Sequence, residues 1–151
     1  MRDSIVKFAY STIVIVACGA FEELFGSVMN VGFPFLLAAT VSVAIDRSAR
    51  MMLMFALAAG AMEDSLCALP SAVSVWSFLA IGSSIRWGIA PYVIACAAFP
   101  VYQILLWLLV PDIEGSVFTR LPLSLVIGSI TFFVVHWVLR VLGRKVALDE
   151  H

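Results

Sequence analysis

The chain has 151 residues, of which 63% are hydrophobic and 13% are charged, and its formal net charge is −1. Water-soluble domains are typically about half apolar and about a quarter charged, so this composition excludes an ordinary soluble fold. No cluster of basic and aromatic residues indicates a nucleic-acid partner. Six membrane spans use about 120 residues, so residues 1–151 are expected to form a single integral membrane domain.

Six apolar segments follow one another along the chain, separated by short charged breaks. Lipid offers the backbone no hydrogen-bonding partner, so only helices or closed barrels cross it. The apolar runs are continuous and too long for the alternating strands of a barrel, which predicts an all-α, polytopic membrane protein folded as one compact bundle. The predicted spans cover approximately residues 5–21, 29–45, 51–69, 71–86, 89–110 and 121–142.

The charged breaks predict the orientation of these spans. Basic residues in short loops stay on the cytoplasmic side during membrane insertion. Eight of the nine Lys and Arg residues fall in the odd-numbered breaks, and Arg120 falls in an even-numbered one. Six crossings therefore place both termini in the cytoplasm. The eight residues are Arg2, Lys7, Arg47, Arg50, Arg86, Arg140, Arg144 and Lys145.

The first predicted span ends at Glu22 and Glu23, a pair that also occurs in intramembrane metalloproteases. Those enzymes need an Arg four residues after the second Glu, where this chain has Ser27, and histidines on several helices, where His136 stands alone within the spans. One histidine cannot build a zinc site with three protein ligands. We therefore expect no catalytic residue, no metal site and no cofactor, and a protein that is not an enzyme.

The second predicted span begins near Pro34, where a proline is tolerated because the first helical turn leaves its N–H groups unpaired. The turn after this span contains Arg47 and Arg50. We interpret these two residues as topology anchors beside anionic lipid headgroups. A contact with a cytoplasmic partner is the alternative interpretation.

The third predicted span carries small residues at a helical interval. Ala56, Gly60 and Asp64 recur every four residues, so they share one helix face. Because small residues let helices approach closely, the face predicts either packing within the bundle or docking of another protein's helix. In the docking hypothesis, the small-residue faces of the third and fourth spans admit the transmembrane helix of a partner.

Glu63 and Asp64 are the strongest candidates for a functional site. Residues 51–62 are apolar and cover about 18 Å, against a hydrocarbon core about 30 Å thick. If the helix continues, the carboxyl groups reach the core, where an acid is costly and faces the bundle; a short, tilted span would leave them among headgroups. Consecutive residues point about 100° apart, so we predict that Asp64, which shares a face with Gly60, is the one facing inward.

Acidic residues dominate the predicted outer side. They are interpreted either as a vestibule that attracts a cation or a basic segment, or as residues better tolerated outside than Lys or Arg. In the sixth span, His136 is expected to be a packed or interfacial histidine. The acidic residues on this side are Glu22, Glu23, Glu63, Asp64, Asp112 and Glu114.

The stretch from Gly32 to Trp87 resembles the bacterial rod-shape-determining MreD family. Members have a proline at the start of the second helix, an Arg-containing turn, a third helix with Gly followed by Asp, and a loop with Pro and small residues. The family usually has glycines around the loop proline, where this chain has Ala68, Ser71 and Ala72. The residues that carry the resemblance are Pro34, Arg47, Arg50, Gly60, Asp64 and Pro70.

The resemblance implies a non-enzymatic scaffold of the complex that directs cell shape and lateral cell-wall synthesis at the bacterial cytoplasmic (inner) membrane. The implied partners are a single-pass MreC-like protein, an MreB-like filament, and the glycan polymerase and transpeptidase of elongation, besides membrane lipids. Partner-binding or structural roles are expected for Asp64, Gly60, Glu63, Pro34, Arg47 and Arg50.

A substrate-binding membrane subunit of a vitamin transporter, of the energy-coupling-factor type, is the alternative function. Such subunits are six-helix proteins that the MreD family resembles. A binding subunit needs a pocket lined by aromatic residues and a few polar groups. The residues expected to supply it are Trp76, Tyr92, Tyr102, Gln103 and Asp64.

Overall fold

A computed structural model describes residues 2–29, 33–69, 72–110 and 117–148. Within these ranges the chain forms six α-helices and no β-strand, which confirms the predicted all-α class. The helices are α1 (Arg2–Met29), α2 (Phe35–Asp46), α3 (Ala49–Leu66), α4 (Val73–Trp87), α5 (Pro91–Leu109) and α6 (Val117–Leu148).

Helix ends differ most from the sequence prediction at α1 and α2. The first span is predicted to end at residue 21, yet α1 continues to Met29. The second span is predicted from residue 29, whereas α2 begins at Phe35, directly after Pro34. These predicted ends are wrong because glutamate is a good helix former, so α1 continues through Glu22 and Glu23, and because α2 begins only after Pro34.

Among the described residues, three helices contain segments that are long and apolar enough to cross a membrane, namely Ile5–Gly26, Pro91–Leu109 and Arg120–Gly143. The apolar helix α2 has 12 residues, which extend about 18 Å, against a hydrocarbon core of about 30 Å. The chain is therefore built as a membrane-associated helical protein in which α2 is shorter than the core is thick.

Helix α2 is the centre of the bundle. It packs against each of the other five helices, and every residue from Leu36 to Ala44 is buried. Its alanines allow close approach of the neighbouring helices. The buried hydroxyl of Thr40 donates to the Leu36 carbonyl at 2.9 Å, so the polar group is satisfied within the helix. A helix without a polar face belongs in the interior of a bundle, which is where α2 lies.

Helices α3 and α4 form a close pair. A Cβ built on Gly60 would lie 2.6 Å from the Cα of Val75, so only glycine fits at this crossing. Ala56, on the same face, is fully buried. This face is therefore filled by α4 of the same chain, which favours packing within the bundle over docking of a partner helix, since a partner would have to displace α4.

The remaining helices surround α2 in the order α1, α3, α4, α5 and α6, each in close contact with the next. The circle is not closed between α1 and α6, which make no close backbone contact in the described ranges. A side chain joins them at one level, where the Tyr10 hydroxyl donates to the Leu139 carbonyl at 3.3 Å. Further along α1, near Glu22, a cavity lies between the two helices.

The connection from α3 to α4 holds two alanines in the left-handed backbone region. The φ angle is 50° at Ala68 and 54° at Ala72. This region favours glycine because a Cβ is crowded there. The connection therefore holds its strained backbone at two residues that carry a Cβ.

Candidate ligand-binding site

A cavity of about 620 Å³ lies between α1, α3, α5 and α6, beside the start of α2. Its apolar wall includes Phe99 and Leu106 of α5 and Leu123 and Ile127 of α6. Ligand pockets typically enclose about 300–1,000 Å³ and combine an apolar wall with a few polar groups, so both the volume and the lining fit a small molecule. The polar side chains in the wall include Glu22, Glu63, Tyr102, Gln103, Arg120 and Ser124.

Glu22 enters the cavity from α1 and also holds the start of α2. Its Oε2 accepts a hydrogen bond from the backbone N–H of Leu36 at 3.0 Å. The N-cap residue of α2 is Pro34, which forms no side-chain cap, so the first turn would otherwise leave this N–H unpaired. A carboxylate at a helix N-terminus is also favoured by the helix dipole. Glu22 therefore has a structural role in addition to lining the cavity.

Glu63 enters the cavity from α3 and is only 6% exposed. Its Oε1 accepts a weak, 3.7 Å hydrogen bond from the thiol of Cys67, which lies one helical turn later. Its Oε2 is buried and has no hydrogen-bond partner among the described residues. The Glu63 carboxyl group is close enough to that of Glu22 for the two to interact. A buried acceptor without a hydrogen-bond partner costs free energy, so Glu63 Oε2 is a position where a ligand could donate a hydrogen bond.

Tyr102 of α5 connects the cavity wall to the α3–α4 pair. Its side chain is 4% exposed, and its hydroxyl forms a 2.7 Å hydrogen bond with Ser74 Oγ. The ring packs edge-on against Phe78 with the centroids 5.5 Å apart. These contacts hold the Tyr102 ring rigidly in the wall, next to Gln103.

Arg120 is the basic residue of the cavity wall. It lies in the first turns of α6, and the structure records no ion pair between it and Glu22 or Glu63. Two carboxylates against one guanidinium leave one net negative charge in the wall when all three groups are ionised. The formal charge of the wall therefore depends on whether both acids are ionised.

Asp64 does not line the cavity. Its Oδ1 accepts from the backbone N–H of Ser74 at 2.8 Å, and its Oδ2 accepts from that of Val75 at 3.3 Å. The N-cap residue of α4, Ala72, forms no side-chain cap, so Asp64 caps α4 from the neighbouring helix. The prediction that Asp64 rather than Glu63 faces inward is wrong for burial, because Glu63 is the buried carboxyl and Asp64 is partly exposed at the α3–α4 contact.

The other predicted site residues lie apart from one another. Pro34 contributes to the cavity wall, and Gly60 lies in the α3–α4 crossing. Arg47 lies beyond the end of α2, where its guanidinium covers the Tyr10 ring at 5.9 Å, and Arg50 is exposed. The structure therefore gathers no common site from these residues, and a partner contact through either arginine stays a prediction.

Two of the five residues named for a vitamin-binding pocket lie in the wall of this cavity, and the vitamin-binding role itself stays a prediction. Tyr102 and Gln103 line the cavity. Trp76, however, is 69% exposed, and Tyr92 packs edge-on against His136 elsewhere in the bundle. Periodicity alone cannot distinguish the lipid-facing side of α4 from its inner side, because both sides are apolar.

A second buried polar cluster lies at the far end of α2. The Nδ1 atom of His136 is 2.9 Å from Ser42 Oγ and 3.8 Å from Asp46 Oδ2, while Phe132 and Tyr92 flank the ring. His136 is thus a packed histidine, as predicted. No group of three His, Cys, Asp or Glu side chains in the part of the chain that the structure describes could hold a metal ion.

Sequence reasoning named Glu22 among the acids that could form an outer vestibule, but it did not bring Glu22 and Arg120 together at one cavity. Glu22 and Arg120 are the charged ends of predicted spans, and this is also the ordinary position of a topology signal. Of the predicted outer acids, Glu22 and Glu63 come together, Glu23 is exposed, and Asp112 and Glu114 lie outside the described residues. The useful signal was Arg120, since it is the basic residue that departs from the charge pattern.

Comparisons with protein families, with curated proteins and with solved structures find no match for this chain. The resemblance to the MreD family therefore stays a prediction from the residues that carry it. The geometry of the cavity is what bears most directly on function.

Proposed function

We propose that this protein is a non-enzymatic membrane subunit that binds a small molecule, as the substrate-binding subunits of energy-coupling-factor vitamin transporters do. The observation that carries the proposal is a buried carboxylate oxygen, Glu63 Oε2, with no partner in the described structure, in the wall of a cavity of about 620 Å³. Packed protein interiors have few voids larger than a water molecule. The presence of this much larger cavity therefore supports a role in binding a ligand.

In this proposal the chain crosses the bacterial inner membrane six times, with both termini in the cytoplasm. The clustering of charge supports this orientation. Arg86 Nη1 donates to the Arg47 carbonyl at 2.7 Å, so two of the basic residues meet at one end of the bundle, whereas Glu22 and Glu63 meet at the cavity. Since basic residues mark the cytoplasmic side, the cavity lies toward the outer face of the membrane.

Blocking the cavity tests this proposal. Ile127→Trp would place an indole in the cavity, whereas Ile130→Trp, on the same helix at a position that is 60% exposed, is the matched control. Protein purified in mild detergent should carry a small molecule detectable by native mass spectrometry. We expect Ile127→Trp to remove the bound mass and Ile130→Trp to retain it. A mass unchanged by Ile127→Trp, or no bound mass and no small-molecule binding at all, would reject the proposal.

A second candidate function is the cell-shape scaffold implied by the resemblance. The observation that favours it is the joint role of two residues that carry the resemblance: Gly60 sets the α3–α4 distance and Asp64 caps α4. Because α4 fills the small-residue face of α3, the scaffold would bind an MreC-like protein through another surface. An MreB-like filament and the elongation glycan polymerase and transpeptidase would then complete the assembly.

Affinity purification from membranes distinguishes the two candidates. A transporter subunit should recover an energising ATPase pair, and a scaffold should recover a single-pass partner with cell-wall synthases. For the scaffold, Asp64→Asn should reduce recovery of the partner more than Glu63→Gln, since Asp64 positions α4. If neither variant changes recovery or folding, the role of Asp64 in the scaffold is wrong.

A further inference from the structure

We infer that the cavity selects a small organic cation with a single positive charge, and that its ammonium-type group lies between the carboxyl groups of Glu22 and Glu63. This inference rests on the proposed function and names the class of ligand for the same site. Its structural basis is the convergence of two carboxyl groups from α1 and α3 on one cavity, one of them with a buried oxygen that lacks a donor.

The carboxyl groups on and next to α3 differ in whether their oxygens already accept hydrogen bonds within the protein. Both oxygens of Asp64 accept hydrogen bonds from the backbone N–H groups of Ser74 and Val75. Glu22 Oε2 accepts one from the N–H of Leu36. Glu63, by contrast, accepts one weak bond from the Cys67 thiol at Oε1, lies within interaction distance of Glu22 and Tyr102, and has no hydrogen-bond partner at Oε2 among the described residues. A carboxylate normally accepts several hydrogen bonds, so a guest that donates to Glu63 would complete its coordination without disturbing any helix cap.

The charge of the wall indicates the charge of the guest. Glu22 and Glu63 interact with each other, and two ionised carboxylates at close range disfavour one another. Arg120 lines the same cavity without pairing with either of them. A monocation between the two acids would stabilise their ionised forms, and with both acids and Arg120 ionised the formal charge of the wall and guest would be zero.

The volume and the remaining lining indicate an organic guest rather than an inorganic ion. A cavity of about 620 Å³ is far larger than a bare metal ion, and the described residues provide no group of three ligating side chains. Phe99, Leu106 and Ile127 contribute an apolar part of the lining. Such a wall suits a hydrocarbon or aromatic body attached to the charged group.

Matched probes test the charge of the ligand on the wild-type protein. Primary amines would each be compared with the alcohol and the carboxylate of the same skeleton, for instance tryptamine with tryptophol and indole-3-acetate. Thermal stabilisation and calorimetric titration in lipid nanodiscs would report binding. We expect the amines to bind at least about tenfold more tightly than their alcohols, as a charge-assisted hydrogen bond to a buried carboxylate implies, and the carboxylates to bind weakest.

A pair of variants tests the role of Glu63 in amine binding. Glu63→Gln should weaken amine binding at least about tenfold, whereas Glu23→Gln, the same change at an exposed position on α1, should leave it unchanged. The ligand-free Glu63→Gln protein should unfold at the same or a higher temperature than wild type, because a buried carboxylate short of donors has been removed. A lower unfolding temperature with unchanged amine affinity would assign Glu63 a structural role and overturn the inference.

The outcomes also separate this inference from the proposed function. If alcohols or carboxylates bind as tightly as the amines, and Ile127→Trp abolishes their binding, the cavity is a ligand site and only the cation assignment fails. Stabilisation by NaCl or KCl alone, equal to that by the amines, would likewise overturn the organic cation. If no probe binds and no molecule co-purifies, the proposed function fails together with the inference.

Discussion

Two neighbouring regions of the bundle use consecutive carboxyl groups in opposite ways. In the α3–α4 interface, Asp64 directs both oxygens to backbone N–H groups, and Gly60 leaves no room for a side chain. In the cavity on another side of α3, Glu63 has one weak thiol donor and an oxygen without a partner in the described ranges. The comparison teaches that about 100° of rotation around one helix separates an acid that stabilises the fold from one that is available to a ligand.

The largest expected effect tests how tightly the α3–α4 interface is packed. Gly60→Ala places a Cβ against the backbone of Val75, so the helices must separate, and we expect a loss of about 3 kcal/mol in the free energy of unfolding. Gly26→Ala on α1 meets nothing within 4 Å and should be neutral or slightly stabilising. Reversible unfolding in mixed detergent micelles measures both, and equal effects would show that the interface is looser than described.

The next effect tests the opposite roles of the two acids. Asp64→Ala removes both caps from α4, and we expect a loss of about 2 kcal/mol in the free energy of unfolding. Glu63→Gln should cause no loss, since its Oε2 has no donor to lose within the described structure. The same unfolding assay compares them. Equal destabilisation by both variants would contradict the division between a structural acid and an available one.

A smaller effect tests the hydrogen bond that joins the two regions. Tyr102→Phe removes the 2.7 Å contact with Ser74 Oγ, and we expect a loss of about 1 kcal/mol in the free energy of unfolding. Tyr92→Phe is the matched control, because the Tyr92 side chain contributes ring contacts rather than a recorded hydroxyl bond. In a double variant with Ser74→Ala, the losses should not add. Full additivity would mean that the two hydroxyl groups act separately.

The smallest effect concerns the backbone at the start of α4. Ala72→Gly should increase the free energy of unfolding by about 0.5–1 kcal/mol, since φ is 54° at this residue and glycine adopts that region without a Cβ penalty. Ala80→Gly lies inside α4 at an exposed position and should reduce it by about 1 kcal/mol. Opposite signs in one unfolding series would verify the left-handed conformation, and a loss in both variants would refute it.

The sequence was a good guide to elements and a poor one to their ends. Continuous apolar runs predicted six helices in the correct order, because each run is long and charged residues separate it from the next. The end of the first span was wrong because the boundary was drawn at the charge of Glu22, and the start of the second was wrong because α2 begins only after Pro34. The carboxyl group of Glu22 instead accepts from the distant N–H of Leu36. A local pattern records a charge but not the distant N–H that satisfies it.

The candidate site was predictable only in part. Glu63, Tyr102 and Gln103 were named as site or pocket residues, and the structure places all three in the cavity wall. Glu22 was interpreted as part of an outer acidic vestibule or of an enzyme motif, and Arg120 only as a topology signal. Nothing local indicates that the first and last helices face one cavity. Asp64 was assigned the inward position because it shares a face with Gly60, but that face meets α4.

Composition and hydrophobic pattern by themselves determined the class of this protein: a helical, membrane-associated chain whose charged residues separate apolar segments. Only the tertiary structure decided that α2 is enclosed by the other helices, that α4 occupies the small-residue face of α3, and that α1 and α6 part to leave a cavity. The physical reason is that the removal of a segment from water, into lipid or into the protein interior, depends on the composition of that segment. The neighbour that each helix face meets depends on how all six helices pack at once.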